Sequence, residues 1–338
     1  MYTGLLIGFL FAFLMKRSRL CFAGSLRDIY MKKKYDGIKF IFIIFSLQGL
    51  CYFTFLTFGI IPKNEEVQTF SLFATILGSF LFGLGAVFAN GCSVSMLIKA
   101  GDSRLNGLVA LLSFLITVFS AKSGLLSIIV KKAKTVGRIS DNYSNECFNY
   151  FIYLYLILAI VAVYIVVKEI RKPNKLSSID FPSEFTGIRH ILFEKIYNKY
   201  VVVLILGILA GVSFYLSHIT GREGSWGITT PLYTWANLIL TGENKLNWAS
   251  FFVLGIILGG FVVGKLSNEW RLKVGDAKSV LYQVIGGFLL AFGAVMAEGC
   301  IVGFAMTGLA MFSLQALIGV ISIVLGIWFG AYMLYKRK

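Results

Sequence analysis

The sequence predicts an all-α integral membrane protein with about nine transmembrane helices and an inverted internal duplication. Three observations support this fold class. Of the 338 residues, 57% are hydrophobic and only 14% are charged, a ratio that no soluble domain of this size needs to fill its core. Eight apolar runs have the length of about 20 residues that crosses a bilayer core. Two segments of the chain also repeat each other.

The apolar runs account for most of the chain. They lie near residues 40–61, 70–90, 105–121, 148–167, 200–217, 249–266, 280–297 and 312–335. A ninth run, Tyr2 to Met15, is shorter. It has no basic residue before it and no small-residue cleavage site after it, so it does not fit a cleaved signal peptide. We expect it to be a ninth span, completed by the residues after Met15.

The lysines and arginines between the spans predict the orientation. Basic loops at 31–39, 168–199 and 265–278, and the basic C-terminus, are expected in the cytoplasm. Nine spans, with the N-terminus outside and the C-terminus cytoplasmic, satisfy this pattern. The exception is the outer loop 121–147, which carries several basic residues. Apolar residues on one side of 124–132 indicate a short amphipathic helix lying on the surface.

The duplication relates Gly78 to Cys92 with Gly286 to Cys300. Aligned without gaps, the two segments share nine of fifteen residues. The first segment ends a span that runs inward, and the second ends a span that runs outward. The two copies are therefore inverted, an arrangement typical of transport paths. The expected organisation is an N-terminal repeat at 1–167, a cytoplasmic linker at 168–199 and a C-terminal inverted repeat at 200–338.

The net charge of +16 agrees with the positive-inside rule and with attraction to anionic lipid. A preference for anionic solutes is the alternative, because several arginines flank probable helix breaks rather than tails; these are Arg17, Arg19, Arg27, Arg104 and Arg222. Nucleic-acid binding is excluded, because the basic residues are scattered between spans and form no continuous face.

The five cysteines carry the chemistry. No Cys-x-x-Cys motif occurs and the chain has two histidines, so thiol oxidoreductases and zinc sites lack their ligands, and we expect no metal or cofactor. Cys51 lies within a span and is interpreted as an inert core residue. Cys147 receives no role. Each of the other three, Cys21, Cys92 and Cys300, stands at a break where a short helix can begin.

A helix that begins inside the membrane presents unpaired N–H groups and a positive dipole end to an anion. A thiol there adds a weak donor, which suits passage because each site must also release its cargo. The structural alternative is that glycine and cysteine only permit close helix packing. The recurrence of Gly-Cys at equivalent positions of two inverted copies favours the anion path.

At these residues the chain resembles the YeeE/YedE family, bacterial inner-membrane proteins that include thiosulfate transporters, over nearly its whole length. The matching stretches are Arg17 to Asp28, Gly91-Cys92 with Leu97 to Gly101, and Gly299 to Gly303 with Thr307 to Leu309. The resemblance implies an hourglass of two inverted repeats in which thiosulfate passes along cysteine S–H donors. Carried over by motif, the path cysteines are Cys21, Cys92 and Cys300. Around them we also expect Gly91, Gly299, Arg19 and Gly24 on the path, with Asn90, Glu298, Arg27 and Arg222 as secondary candidates.

The chain departs from the family pattern in two places. Asn90 and Glu298 stand before Gly-Cys where a small residue is common, and an ionised Glu298 would oppose an anion unless it is protonated, faces away or pairs with an arginine. The fourth break, Gly221 to Gly227, has no cysteine. It is either a re-entrant wall or an outer loop with an interfacial tryptophan, and its His218–Arg222–Glu223 cluster is either an entrance or a solvated loop.

The leading interpretation is a non-enzymatic importer of thiosulfate or a related sulfur anion, without ATP hydrolysis because no Gly-x-x-x-x-Gly-Lys-[Ser/Thr] motif occurs. A transporter of selenium or other sulfur species is one alternative. Others are a membrane sulfurtransferase that forms a persulfide on Cys92 or Cys300, and a membrane scaffold. By resemblance alone, a small cytoplasmic sulfur-carrier protein of the TusA type is a plausible partner.

Overall fold

The computed structural model describes residues 1–61, 68–141, 148–171, 196–222, 224–268, 270 and 275–336. Within these ranges the fold is almost entirely helical, which confirms the predicted class. The α-helices are α1 Tyr2–Arg17, α2 Phe22–Lys32, α3 Asp36–Thr57, α4 Leu72–Phe88, α5 Ser93–Gly101, α6 Leu105–Ser123, α7 Ser127–Thr135, α8 Phe148–Ile170, α9 Lys199–Ile219, α10 Thr229–Thr241, α11 Trp248–Leu266, α12 Ala277–Ala297 and α13 Leu314–Ala331. Gly303–Gly308 and Tyr332–Lys336 are π-helical, and β1 (Gln68–Ser71) pairs antiparallel with β2 (Arg138–Asp141).

Eight helical stretches in the described part of the chain are long and apolar enough to cross a membrane. They contain α3, α4 with α5, α6, α8, α9, α11, α12 and α13, which match the eight long apolar runs of the sequence. The ninth candidate, α1, has 16 residues and is about 24 Å long at 1.5 Å per residue. This helix ends at Arg17, and the backbone leaves the helical conformation before α2 begins. The residues after Met15 therefore extend α1 by less than one turn.

The helices line up in alternating directions between two ends of a bundle. We call the end that carries β1, β2 and α7 the hairpin end; α4 starts there, and α12 finishes there beside α7. The opposite end, named the cysteine-pair end, holds the finish of α1 and α4 and the start of α3 and α9. Hydrogen bonds close it, because Lys39 Nζ donates to Glu169 at 2.7 Å and Tyr200 Oη donates to Asp36 at 2.7 Å.

Glycines set the closest helix contacts, as they do in many membrane proteins. A Cβ on Gly78 of α4 would lie 2.7 Å from the Gly293 carbonyl oxygen of α12, and one on Gly293 would lie 2.5 Å from the Gly78 oxygen. Farther along the same antiparallel pair, a Cβ on Gly85 would lie 2.9 Å from the Gly286 oxygen. The two backbones therefore touch directly at both ends of this seam.

The contacts across this seam are reciprocal with respect to the duplication. In the ungapped alignment, Gly78 corresponds to Gly286 and Gly85 to Gly293. Gly78 touches Gly293, and Gly85 touches Gly286, so replacing each glycine by its counterpart in the other repeat turns one contact into the other. Outer pairs follow the same exchange: α1 packs on α11 as α9 packs on α3, and α13 packs on α4 as α6 packs on α12.

The surface helix expected around 124–132 is present but begins three residues later, at Ser127. Ile128 and Ile129 are exposed while Val130 is buried, so the helix lies along the bundle surface with apolar side chains facing outward. Ser71 fastens the neighbouring hairpin, because its hydroxyl donates to the Val136 carbonyl and accepts from the Ala74 amide. Most of the expected linker 168–199 lies outside the described residues, as does Cys147.

Candidate functional site

The three cysteine breaks share one backbone geometry. A non-glycine residue in the left-handed region stands two positions before each cysteine: Arg19 at φ 50°, Asn90 at φ 49° and Glu298 at φ 63°. In the first two breaks the next amide bonds back to the carbonyl five residues earlier, Leu20 to Met15 at 3.0 Å and Gly91 to Ala86 at 2.8 Å. This is the Schellman pattern that ends a helix.

This geometry accounts for Asn90 but not for Glu298, the two residues that depart from the family pattern before Gly-Cys. Asparagine is among the few residues that adopt left-handed backbone readily, whereas glutamate and arginine there cost roughly 1–2 kcal/mol. The glycines that follow are required by space. A Cβ on Gly91 would lie 2.6 Å from the Ser95 hydroxyl, and one on Gly299 would lie 2.6 Å from the Phe304 ring.

Each of the three cysteines precedes a short helix, as the sequence predicts. Cys21 caps α2, and its sulfur accepts a hydrogen bond from the Gly24 amide at 3.4 Å. Cys300 repeats this arrangement with the Gly303 amide at 3.5 Å, and Cys92 caps α5. A thiol that accepts an N–H bond keeps its own S–H free to donate. Cys92 and Cys300 are buried and Cys21 is partly buried.

The structure brings two of the predicted thiols together and places the third elsewhere. The side chains of Cys21 and Cys92 lie close enough to interact at the cysteine-pair end. Cys300 follows the end of α12, at the hairpin end. Cys51 packs against Gly211 of α9, where a Cβ would lie 2.6 Å from the Cys51 sulfur, so it occupies a helix interface.

Lys99 is a candidate that residue patterns did not single out. Its Nζ donates to the Asn90 carbonyl at 2.6 Å, which supports the second break, and it lies close enough to Cys21 and Cys92 to interact with them electrostatically. The spacing of seven residues between Cys92 and Lys99 spans two helical turns and puts both on one face of α5. This spacing is the sequence signal from which Lys99 could have been predicted as a neighbour of Cys92.

The predicted arginines differ in their environments. Arg19 is exposed. Arg27 pairs with Asp28 at 3.3 Å and lies over the Tyr335 ring. Arg222 donates to the Ser217 hydroxyl at 3.3 Å and to the Ser225 carbonyl, so its guanidinium braces the loop of the fourth break.

The fourth break is a buried wall of the bundle. Trp226 is only 1% exposed, stacks on Phe252 and donates its indole N–H to the Ser213 hydroxyl at 2.9 Å. Its carbonyl accepts a hydrogen bond from Thr307, in the short helix after Cys300. The interpretation of Trp226 as an interfacial loop residue is therefore wrong. Glu223, part of the cluster interpreted as either an entrance or a solvated loop, lies outside the described residues.

Glu298 pairs with a lysine rather than with an arginine. Lys134, in the last turn of α7, places Nζ 2.5 Å from the Glu298 carboxylate. The two residues border a cavity of about 140 Å³ at the hairpin end. The ion pair joins residues 164 positions apart in sequence, so no local pattern could have indicated it.

Comparison with known proteins identifies the family. A profile of the family described as "Sulphur transport" matches residues 17–329. The thiosulfate transporter TsuA of Escherichia coli (strain K12) is 33% identical over 343 aligned positions, which cover 99% of this chain and 95% of that protein. TsuA of Spirochaeta thermophila is 28% identical over 99% of both chains, and the probable transporter YedE of E. coli is 28% identical over 42% of this chain and 39% of its own. These similarities confirm the resemblance carried by the cysteine motifs, and the chain belongs to the YeeE/YedE sulphur transport family.

Proposed function

We propose that this protein imports thiosulfate, or a closely related sulfur anion, along a path lined by the thiols of Cys21, Cys92 and Cys300. Two relatives that align along the whole chain are named thiosulfate transporters, which supports the substrate class. The three cysteines stand at helix starts, where unpaired amides and the dipole favour an anion. Substrate passes between these sites without nucleotide hydrolysis by this chain.

The observation that carries this proposal is that Cys21 and Cys92, which cap the starts of two short helices, lie near each other and near Lys99. Thiosulfate has a polarisable terminal sulfur and three oxygens. Two adjacent thiols offer weak donors to the sulfur, and the lysine attracts the overall charge. The Ser93 hydroxyl is also buried and has no hydrogen-bond partner among the described residues, so it is available to an oxyanion. Weak donors and a nearby cation allow binding and release.

The architecture proposed for this path is two inverted repeats, 1–167 and 200–338, joined by a cytoplasmic linker and forming an hourglass. The reciprocal glycine contacts between α4 and α12, and the matching exchange of outer helix pairs, support it. Under the positive-inside rule the cysteine-pair end, with its Lys32–Lys34 and Lys336 segments, is cytoplasmic. The N-terminus and the hairpin end then lie outside the inner membrane.

A sulfurtransferase that holds a persulfide is the second candidate, and burial argues against it. Cys92 is 0% exposed and Cys300 is 2% exposed, whereas a thiol that hands sulfur to a carrier protein must be reached by that protein. The names of the relatives also favour a transporter. A selenium analogue would use the same thiols. A TusA-type carrier, proposed by resemblance, would receive cargo at the cytoplasmic end after transport.

Growth of a cysteine-requiring bacterial strain that lacks its own sulfate and thiosulfate importers tests the function. With thiosulfate as the sole sulfur source, the wild-type chain should restore growth. Cys21→Ala, Cys92→Ala and Cys300→Ala should weaken rescue, whereas Cys51→Ala, the matched control at a helix interface, should not. An expressed, membrane-inserted wild-type chain that gives no rescue would contradict the proposal and favour another sulfur or selenium species.

A further inference from the structure

A polar cavity at the hairpin end has no role in the path described so far. Its volume is about 140 Å³, several times what one ordered water needs. Polar or charged side chains form much of its wall; six of them are Ser71, Thr75, Lys134, Arg138, Glu298 and Gln315. The cavity therefore has the size and the hydrogen-bonding groups to hold a small oxyanion.

Hydrogen bonds between secondary-structure elements hold the wall of this cavity in place. In the β1–β2 pair, Ser71 stands opposite Arg138, which fixes the arginine at the cavity rim. The Ser71 hydroxyl also contacts the Ala133 carbonyl at 3.2 Å, next to Lys134. These bonds tie the hairpin and the surface helix to the start of α4, so both cations are held by ordered backbone.

The charge of the cavity favours an anion. Lys134 and Arg138 are cationic, and Glu298 is the one carboxylate in the lining. A third cation, Lys122 at the end of α6, lies close enough to Lys134 and Glu298 to interact with both. Lys134 is paired with Glu298, so an incoming anion and the carboxylate compete for the same ammonium group.

The cavity adjoins the third cysteine break. Glu298 stands two residues before Cys300, and Gln315 donates to the Ala297 carbonyl at 3.1 Å, on the same turn. The lining contains no cysteine, so recognition here uses full charges and amides instead of thiols. An anion held in the cavity would be next to the amides and thiol of the break.

We propose that this cavity is an oxyanion-binding antechamber in which Glu298 is an internal competitor that the cargo displaces from Lys134. The direction of passage through it rests on the proposed function. The carboxylate keeps the site from holding its anion tightly, because release of the anion restores the Lys134–Glu298 pair. The lining has no thiol, so the antechamber selects small divalent oxyanions as a class and leaves discrimination by terminal sulfur to the cysteines.

This proposal gives opposite signs for the two halves of one ion pair. Glu298→Gln removes the competitor and should tighten equilibrium binding of thiosulfate about two- to five-fold, the factor that corresponds to a partly exposed pair. Lys134→Gln removes the ligand and should weaken binding by a similar factor, and Lys134→Arg should largely restore it. An ion pair with a purely structural role would instead make both neutral variants weaker.

Binding of radiolabelled thiosulfate to the full chain in lipid nanodiscs tests these signs, with thermal unfolding of each sample as the measure of folding. The matched control is the exposed pair Lys245–Glu243 at 2.8 Å, at the same end of the bundle. Hydrogen bonds from Lys245 and Asn237 lower the pKa of Glu243, so this pair is ionised at neutral pH. Lys245→Gln and Glu243→Gln change the local charge by the same amounts as Lys134→Gln and Glu298→Gln. They should leave thiosulfate binding unchanged.

Tighter binding in Glu298→Gln together with weaker binding in Lys134→Gln supports the antechamber, even if the wild-type chain fails to restore growth on thiosulfate. In that case the binding site is supported and the proposed transport of thiosulfate is contradicted. Equal losses in both variants, matching shifts in the control pair, or no measurable binding by a folded wild-type chain would overturn the antechamber while leaving the growth test of transport unaffected.

Discussion

Replacing Asp102 should destabilise the protein more than replacing its ion-pair partner Lys16. The two side chains are 4% and 8% exposed, and Lys16 Nζ lies 2.6 Å from the Asp102 carboxylate. Asp102 has a second cationic partner, because Arg104 Nε lies 3.1 Å from its other oxygen. This pair connects the last turn of α1, which precedes the Cys21 break, to the residue after α5, whose start Cys92 caps.

The difference between the two variants follows from what each leaves behind. Asp102→Asn strands the Lys16 ammonium in a buried site, a change that costs about 3–5 kcal/mol. Lys16→Met leaves Asp102 with the half-exposed Arg104 as counter-charge, and its long apolar side chain fills the same space, so a loss of about 1–2 kcal/mol is expected. Asp102→Asn should therefore be the less stable variant by about 2 kcal/mol.

The free energy of unfolding in mixed detergent micelles, titrated with a denaturing detergent, measures this difference. Lys245→Gln, in an exposed pair, is the control and should show no measurable change. Lys16→Met equal to or less stable than Asp102→Asn would refute the argument that Arg104 compensates the carboxylate.

Three further predictions concern the breaks and the seam. Gly299→Ala should abolish thiosulfate uptake, since its Cβ would lie 2.6 Å from a packed ring, whereas Gly24→Ala, with its nearest contact at 3.5 Å, should retain most uptake; equal losses would count against the steric argument. Lys99→Met should raise the KM for uptake several-fold while Lys99→Arg stays near wild type, and an unchanged KM in Lys99→Met would remove the lysine from the path. Gly293→Ala, with backbone atoms 2.5 Å from the added carbon, should lose about 1–3 kcal/mol in the same detergent titration, and wild-type stability there would mean that the seam is looser than described.

Local sequence signals located the breaks but not the long-range pairing at them. Gly-Cys recurrence at the ends of apolar runs placed Cys92 and Cys300 at helix starts, and the break after the first apolar run placed Cys21, because these properties depend on a few neighbouring residues. The proximity of the Cys21 and Cys92 thiols and the Lys134–Glu298 ion pair depend on packing between helices that are distant in the sequence. The spacing of residues along the chain does not indicate such contacts. Lys99 is intermediate, since its helical register with Cys92 is readable once α5 is recognised as a helix.

The burial of Trp226 shows another limit. Its polar, glycine-rich surroundings are typical both of a loop and of a re-entrant segment. The deciding contacts come from Phe252 and Ser213, on two other helices. Single-sequence patterns therefore left both interpretations open, although the helix that follows, α10, begins close to the expected interruption.

The glycine seam between α4 and α12 also limits how this protein can move. Carbonyl oxygens and Cα atoms meet there without intervening side chains, so no rotamer change can absorb sliding of one helix along the other. A carbon added to Gly293 or Gly286 would lie within 2.5 Å of the Phe82 or Ala89 backbone, so the seam leaves little room between the helices. We therefore expect the two central helices to move as one body, with any opening and closing during a transport cycle in the short segments at its two ends.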